Sequence, residues 1–320
     1  EELTEISKKL EGLAINSQEK GRLFTTLFPR SEYYCDSKNS YKSPLYVWEA
    51  NSQLIFLEQK DTEKRQRIDK LDADAVKRTA KLFNIKPEST PALIGNLVLG
   101  SGTELLGFTS AQALEHKGYL LNPNILDEKK RKARQKTMSL FGKGNPKDIF
   151  DATLYLYILH ERGHEQDRRT TDPDSEDSGL LSEVRTDFPM VIGAFEQLFE
   201  SIDTSDHADP QPQIDNLIMA IFAEYAHDIN ELTTQNGSIA KGYGVSSVFI
   251  FNNLFESGLV TKNEGGGYQV SRGQSALGKF LQTFRETHEK LLTNDPDVVE
   301  NLENIKPSED TQEVGKLFSV

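Results

Sequence analysis

The stretch "IFDATLYLYILHERGHEQD", Ile149 to Asp167, decides the reading of this chain. Its first part, "IFDATLYLYIL", is a dense apolar run that passes directly into "HERGHEQD". A run of that kind predicts a helix buried on most sides, so the polar motif emerges from a buried helix rather than a solvated one. His160 and His164 stand four apart, and residues four apart project from the same face of an α-helix. Both imidazoles can therefore reach one ion. From Pro146 onward the sequence predicts long helices, with a second beginning near Leu181 and running to Phe199.

Glu161 falls beside such an ion and not on it, where a carboxylate can polarise a metal-bound water. Zinc in a catalytic site takes three protein ligands and leaves the fourth position to water. Cys35 is the only cysteine, so no thiolate cluster can form and a transition metal must use His and carboxylate ligands. Glu183 is the expected third ligand. It lies in "LLSEVRTDFPMVIGAFEQLF" (180–199), and Asp187 follows it by one turn. Asp187 is placed to accept a hydrogen bond from the far nitrogen of a ligand histidine and so fix its tautomer. The pattern implies Zn2+ on His160, His164 and Glu183, with Glu161 as the base. The competing reading is a surface helix with two solvated histidines. The apolar turns before the motif weigh against it; Arg162 weighs for it, since the middle of such motifs is usually uncharged.

The rest of the chain implies a mainly helical α+β fold. Residues 1–145 read as an N-terminal region of helices plus a β-hairpin, 146–302 as a helical domain carrying the metal motif, and 303–320 as a polar, mobile tail. Residues 1–20 have a helical period, and 44–59 read as a hairpin turning at Asn51-Ser52. Asp72 is expected to cap a helix that Asn84 closes, and 88–125 to form loops with short elements. "DEKKRKARQK" (127–136) reads as one solvated helix face. Residues 259–270 predict a Gly-tipped hairpin, followed by an amphipathic helix over about 274–293.

Composition sets limits on function. With 36% hydrophobic and 27% charged residues, the 320-residue chain can bury a core and is not a disordered polymer. A net charge of −13 argues against general affinity for nucleic acid or anionic membrane. No apolar run approaches the roughly 20 residues that span a bilayer. The single cysteine leads to an expected cytoplasmic location.

The H-E-x-x-H and E-x-x-x-D pair resembles the gluzincin metallopeptidases, the group that includes thermolysin. The segment 180–199 is also similar to the one around the glutamate ligand in the dipeptidyl-peptidase III family, E-E-x-x-A-D followed by an apolar helix. In that family a His-containing segment then leads into a helix ending "LLEAG", a short hairpin and a final helix. Here "GYGVSSVFIFNNLFESGLVTKNEGGGYQVSRGQSALGKFLQTFRETHEKLL" (242–292) follows the same order. The resemblance covers roughly residues 146–300 and implies a zinc metallopeptidase acting on a peptide or protein substrate. Four departures stand out. The family motif H-E-x-x-x-H is one residue longer than "HERGH". Ser182 replaces a second Glu, Tyr243 replaces the expected histidine, and the expected arginine falls near Ser247.

Amide hydrolysis also needs a donor to the developing oxyanion. Tyr243 is one candidate, because it takes the place of the family histidine. His227, in "AEYAHDINE", is the other. A different class of function remains open: a catalytically degenerate metal-binding protein, or a regulatory module of winged-helix outline at 244–272. The recognition helix of such a module would be "VSSVFIFNNLFES" (245–257), which carries no Lys or Arg for DNA phosphates.

Overall fold

The computed structural model describes residues 45–50, 52–58, 62–88, 92–100, 111–114, 118–121, 128–170, 179–203, 209–230 and 238–319. The expected helix at 1–20, Cys35, His116 and His207 lie outside the described residues. The chain divides into two compact units. The first takes residues 1–72 and 89–126, and the second takes 73–88 and 127–320.

The first unit carries a five-stranded sheet in the order β1-β2-β3-β5-β4. β1 (Leu45–Ala50) and β2 (Ser52–Glu58) form the expected hairpin, antiparallel with Ala50 opposite Ser52. β3 (Ala92–Gly100) adds antiparallel to β2, with a register shift between Ile55 and Phe56. β4 (Ala111–Leu114) and β5 (Gly118–Leu121) are antiparallel, and β5 lies parallel to β3. Residues 88–125 thus hold a nine-residue strand where loops with short elements were expected.

Helices build the second unit, and the protein is mainly helical α+β, as its sequence implies. α1 (Thr62–Leu82) begins ten residues before the expected cap at Asp72 and supplies its last turns to this unit. It closes where expected: Asn84 takes the left-handed conformation with φ of 55°, which Asn tolerates better than most residues. α2 (Glu128–Phe141) carries the basic stretch. Arg131, Lys132 and Lys136 are exposed, while Arg134 is buried close to the Tyr157–Glu224 pair. The central pair is α3 (Pro146–Thr170) and α4 (Gly179–Asp203). Leu156, Ile158 and Leu159 of α3 are fully buried, as the apolar run predicts.

α5 (Gln211–Tyr225) packs on α3, and α6 (Ser238–Glu256) packs on α4. Gly258 ends α6 at φ of 72°, and the hairpin β6 (Val260–Lys262) and β7 (Tyr268–Val270) follows. α7 (Gln274–Leu292) completes a ring cluster with α4 and α6. Phe188 lies 4.4 Å from Phe249 and 5.2 Å from Phe284, and Phe249 lies 5.1 Å from Phe284. These edge and tilted contacts pin the turn of α4 that holds Asp187. Val245, Val248, Ile250, Phe251 and Leu254 of α6 are all core residues. The helix that a winged-helix module would offer to a groove is therefore committed to the interior.

After α8 (Pro296–Glu303) the chain ends in α9 (Glu309–Phe318), which corrects the expectation of a polar, mobile tail over 303–320. Ser308 caps α9, Asn252 of α6 accepts from Ser308 N and Thr311 Oγ1, and Val314 is fully buried. Polar composition concealed one apolar stripe, Val314 and Phe318, which is all a ten-residue helix needs for docking. Among the described residues no helix is long and apolar enough to cross a membrane.

Candidate metal centre

α3 presents His160 and His164 on one face, and α4 crosses it with Glu183 and Asp187 on the facing turn. The two Nε2 atoms lie 3.0 Å apart. Glu183 Oε2 is 3.5 Å from that of His160 and 3.4 Å from that of His164. Among the described residues, this is the one cluster of His, Cys, Asp and Glu side chains whose ligand atoms converge in this way. Tetrahedral zinc with bonds of about 2.0–2.1 Å sets its ligand atoms about 3.3 Å apart, close to all three edges. A circle through the three atoms has a radius of about 1.9 Å, just inside that bond length, so one ion can bond all three from slightly out of their plane. Glu183 Oε2 is buried and has no hydrogen-bond partner. An orphaned carboxylate oxygen aimed at two imidazole nitrogens is costly by itself and is satisfied by a cation. The donor set fits zinc.

Asp187 lies one turn after Glu183 on α4. It is fully buried, and His160 Nδ1 donates to its Oδ1 at 2.8 Å. That bond fixes the ring with Nδ1 toward Asp187 and Nε2 toward the other two ligands, the nitrogen a bound cation would take in place of its proton. Tyr225, the last residue of α5, donates its hydroxyl to the same oxygen at 2.5 Å. Nothing in the local sequence assigns Tyr225 a role. Its link to Asp187 spans 38 positions and exists only because α5 packs beside α3 and α4.

The electrostatics follow from burial and neighbours. Burial opposes charging His160, but the hydrogen bond and charge of Asp187, with Glu183 and Glu161, outweigh it and push its pKa up to about 10. Burial would raise Glu183, yet His164, His160 and the Tyr243 hydroxyl hold it below the usual carboxylate range. Glu161 goes the other way. Burial raises its pKa against the pull of the two histidines, and its Oε2 has no hydrogen-bond partner. Burial and the nearby charges of Glu183, Glu161 and Asp187 raise Tyr243, so its hydroxyl stays protonated as a donor.

Of the two oxyanion candidates, the structure brings Tyr243 to the cluster. It lies in α6, with its ring stacked 6.4 Å from that of His160 and its hydroxyl close enough to the Glu183 carboxyl to help lower that group's pKa. His227 sits in the turn after α5, paired with Asp228 at 2.9 Å. Arg162, the charged middle residue of the motif, is buried and bonded to Glu165 at 2.5 Å. A further buried pair, unforeseen from sequence, joins the helices one turn beyond His164. Asp167 accepts from Arg185 Nε at 2.6 Å and from Ser182 Oγ at 3.1 Å. Ser182, the departure from the family's second Glu, is thus a hydrogen-bond donor in that pair.

No family model matches this sequence, and no curated protein is significantly similar to it. Solved structures are. Dipeptidyl-peptidase III from Corallococcus sp. strain EGB aligns with 87% of this chain at 17% identity and a TM-score of 0.49. DPP III from Caldithrix abyssi aligns with 97% at 14% identity and a TM-score of 0.56. The chain spans 62% and 66% of the length of those two proteins. What this chain shares with the Caldithrix abyssi protein is its fold.

Proposed function

We propose that this protein is a zinc metallopeptidase that holds Zn2+ on His160, His164 and Glu183 and hydrolyses peptide bonds. The observation that carries the reading is the near-tetrahedral face of those three ligand atoms, with edges of 3.0, 3.4 and 3.5 Å. Zinc held there supplies Lewis acidity, which brings the pKa of water toward neutrality. Glu161 takes a proton from the attacking water as the C–O bond forms, then passes it to the amine nitrogen as the C–N bond breaks. Its buried position raises its proton affinity and suits it to both halves of that transfer. Asp187 orients His160, and Tyr243 donates to the developing oxyanion. His227 is the competing donor.

The substrate is a peptide or protein. The fold likeness to the Caldithrix abyssi protein makes release of dipeptides the first activity to assay. Nucleic acid and anionic membranes are poor partners for a chain of net charge −13. A single cysteine suits a reducing compartment such as the cytoplasm.

Elemental analysis of protein purified without chelators tests the centre. Wild type should carry about one zinc per chain, and His164→Ala should lose it. Mass spectrometry of a peptide library incubated with wild type then identifies the bonds cleaved. No zinc in wild type, and none gained on titration, ends the proposal.

A further inference from the structure

Gly163 lies between Glu161 and His164 in the motif, on the face of α3 that meets α4. A Cβ built on it would stand 3.1 Å from both Cβ and Cγ2 of Thr186 and 3.2 Å from Thr186 Cα. Carbon atoms pack comfortably at about 3.5–4.0 Å. The obstacle includes backbone, and the Thr186 side chain cannot swing clear. It is fully buried, and its hydroxyl bonds the carbonyl of Glu183 at 2.7 Å. Thr186 sits between Glu183 and Asp187, so this close contact of the two helices lies among the ligands themselves. Helix propensity alone favours alanine at position 163.

We infer that Gly163 is a positioning residue: by letting α3 touch α4 at Thr186 it sets the distance between Glu183 and the two histidines. This role rests on the metal-site reading above. The histidines share α3, so their 3.0 Å separation is independent of the helix spacing. The distances of 3.4 and 3.5 Å to Glu183 cross the interface and are not. Relieving the Gly163→Ala overlap requires the helices to part by about 0.5 Å. The circle through the ligand atoms then grows from about 1.9 to about 2.1 Å, the upper limit of a zinc–nitrogen bond, and the pyramid flattens.

Zinc affinity is measured by competition with a chelating dye, and the stability of the metal-free proteins by melting in EDTA. Gly163→Ala should weaken zinc binding about 10- to 100-fold, the range typical when support around a metal site is lost. Gly193→Ala is the control from the same helix pair. Its Cβ would meet Leu159 Cδ2 at 3.2 Å, the far end of a side chain with no backbone atom of the facing helix among its close contacts, and zinc affinity should not change. The swap Gly163→Ala with Thr186→Gly moves the small residue to the other helix and should restore most of the affinity. Unchanged affinity in Gly163→Ala, an equal loss in Gly193→Ala, or a folded swap variant that takes up no zinc overturns the role. If the single variant fails to fold, the swap decides. Wild type that takes up no zinc overturns the metal site, and this role with it.

Discussion

Replacing His288 with Gln should remove an acid-sensitive component of stability that lies away from the metal centre. His288 is buried on α7, its Nε2–H donates to the Leu82 carbonyl at 3.1 Å, and its Nδ1 is buried without a partner. The ring meets Phe83 edge-on at 5.4 Å. Burial lowers its pKa to about 4, which the bond to Leu82 only partly offsets. The unfolded value is about 6.5, so between the two values the unfolded chain binds more protons and stability rises with pH. The contribution is fully present above pH 6.5 and is lost as pH falls toward 4. At about 1.4 kcal/mol per unit, the loss approaches about 3 kcal/mol in full and about 2 kcal/mol by pH 5. Urea unfolding of the metal-free protein at pH 7 and pH 5 reads this directly. Other titrating groups contribute to both proteins and cancel in the difference. The drop in His288→Gln should be smaller than in wild type by about 2 kcal/mol. Equal drops in the two proteins would show that His288 is not held neutral by burial.

Two further outcomes concern the chemistry. Glu161→Gln should keep its zinc but lose at least about 100-fold in peptide hydrolysis, as elemental analysis and steady-state kinetics can show; loss of zinc instead would make Glu161 a ligand. Tyr243→Phe keeps the ring and removes the donor, so kcat should fall about 100- to 1,000-fold with zinc content and KM little changed. If His227 is the donor, His227→Ala will be the slow variant and Tyr243→Phe nearly silent.

Local periodicity made the ligand helices legible. The i, i+4 histidines and the E-x-x-x-D turn each lie within a single helix, so their facing directions follow from 3.6 residues per turn. The hairpin at Asn51-Ser52 and the stop at Asn84 were legible for the same reason, since turn chemistry is local. What required the fold were pairings across elements. Tyr225 reaches Asp187 only through the packing of α5, and Gly163 matters only because Thr186 lies opposite it. The early start of α1 was hidden because "TEKRQRID" has too few apolar residues to show a period. Arg162 misled in the opposite direction. A charged residue in the motif suggested solvent, yet its guanidinium is buried against Glu165 on the next turn of the same helix.

The motif's length separates this chain from the family it resembles, and helix geometry explains how the shorter motif still brings its two histidines together. Each residue turns an α-helix by about 100°, so a spacing of four leaves two side chains about 40° apart, while a spacing of five leaves them about 140° apart. An H-E-x-x-x-H pair therefore needs a local irregularity, such as a π-bulge, to bring its histidines together. H-E-x-x-H needs none, and α3 is regular α-helix from Pro146 to Thr170 with its two Nε2 atoms 3.0 Å apart. A regular helix has no bulge with which to adjust its ligands toward the neighbouring helix. The approach of α4 must then supply the fit, which is where the tight contact of Gly163 with Thr186 lies. On this reading the shorter motif and the glycine contact are one solution: spacing within α3 sets the histidine pair, and packing against α4 sets the glutamate.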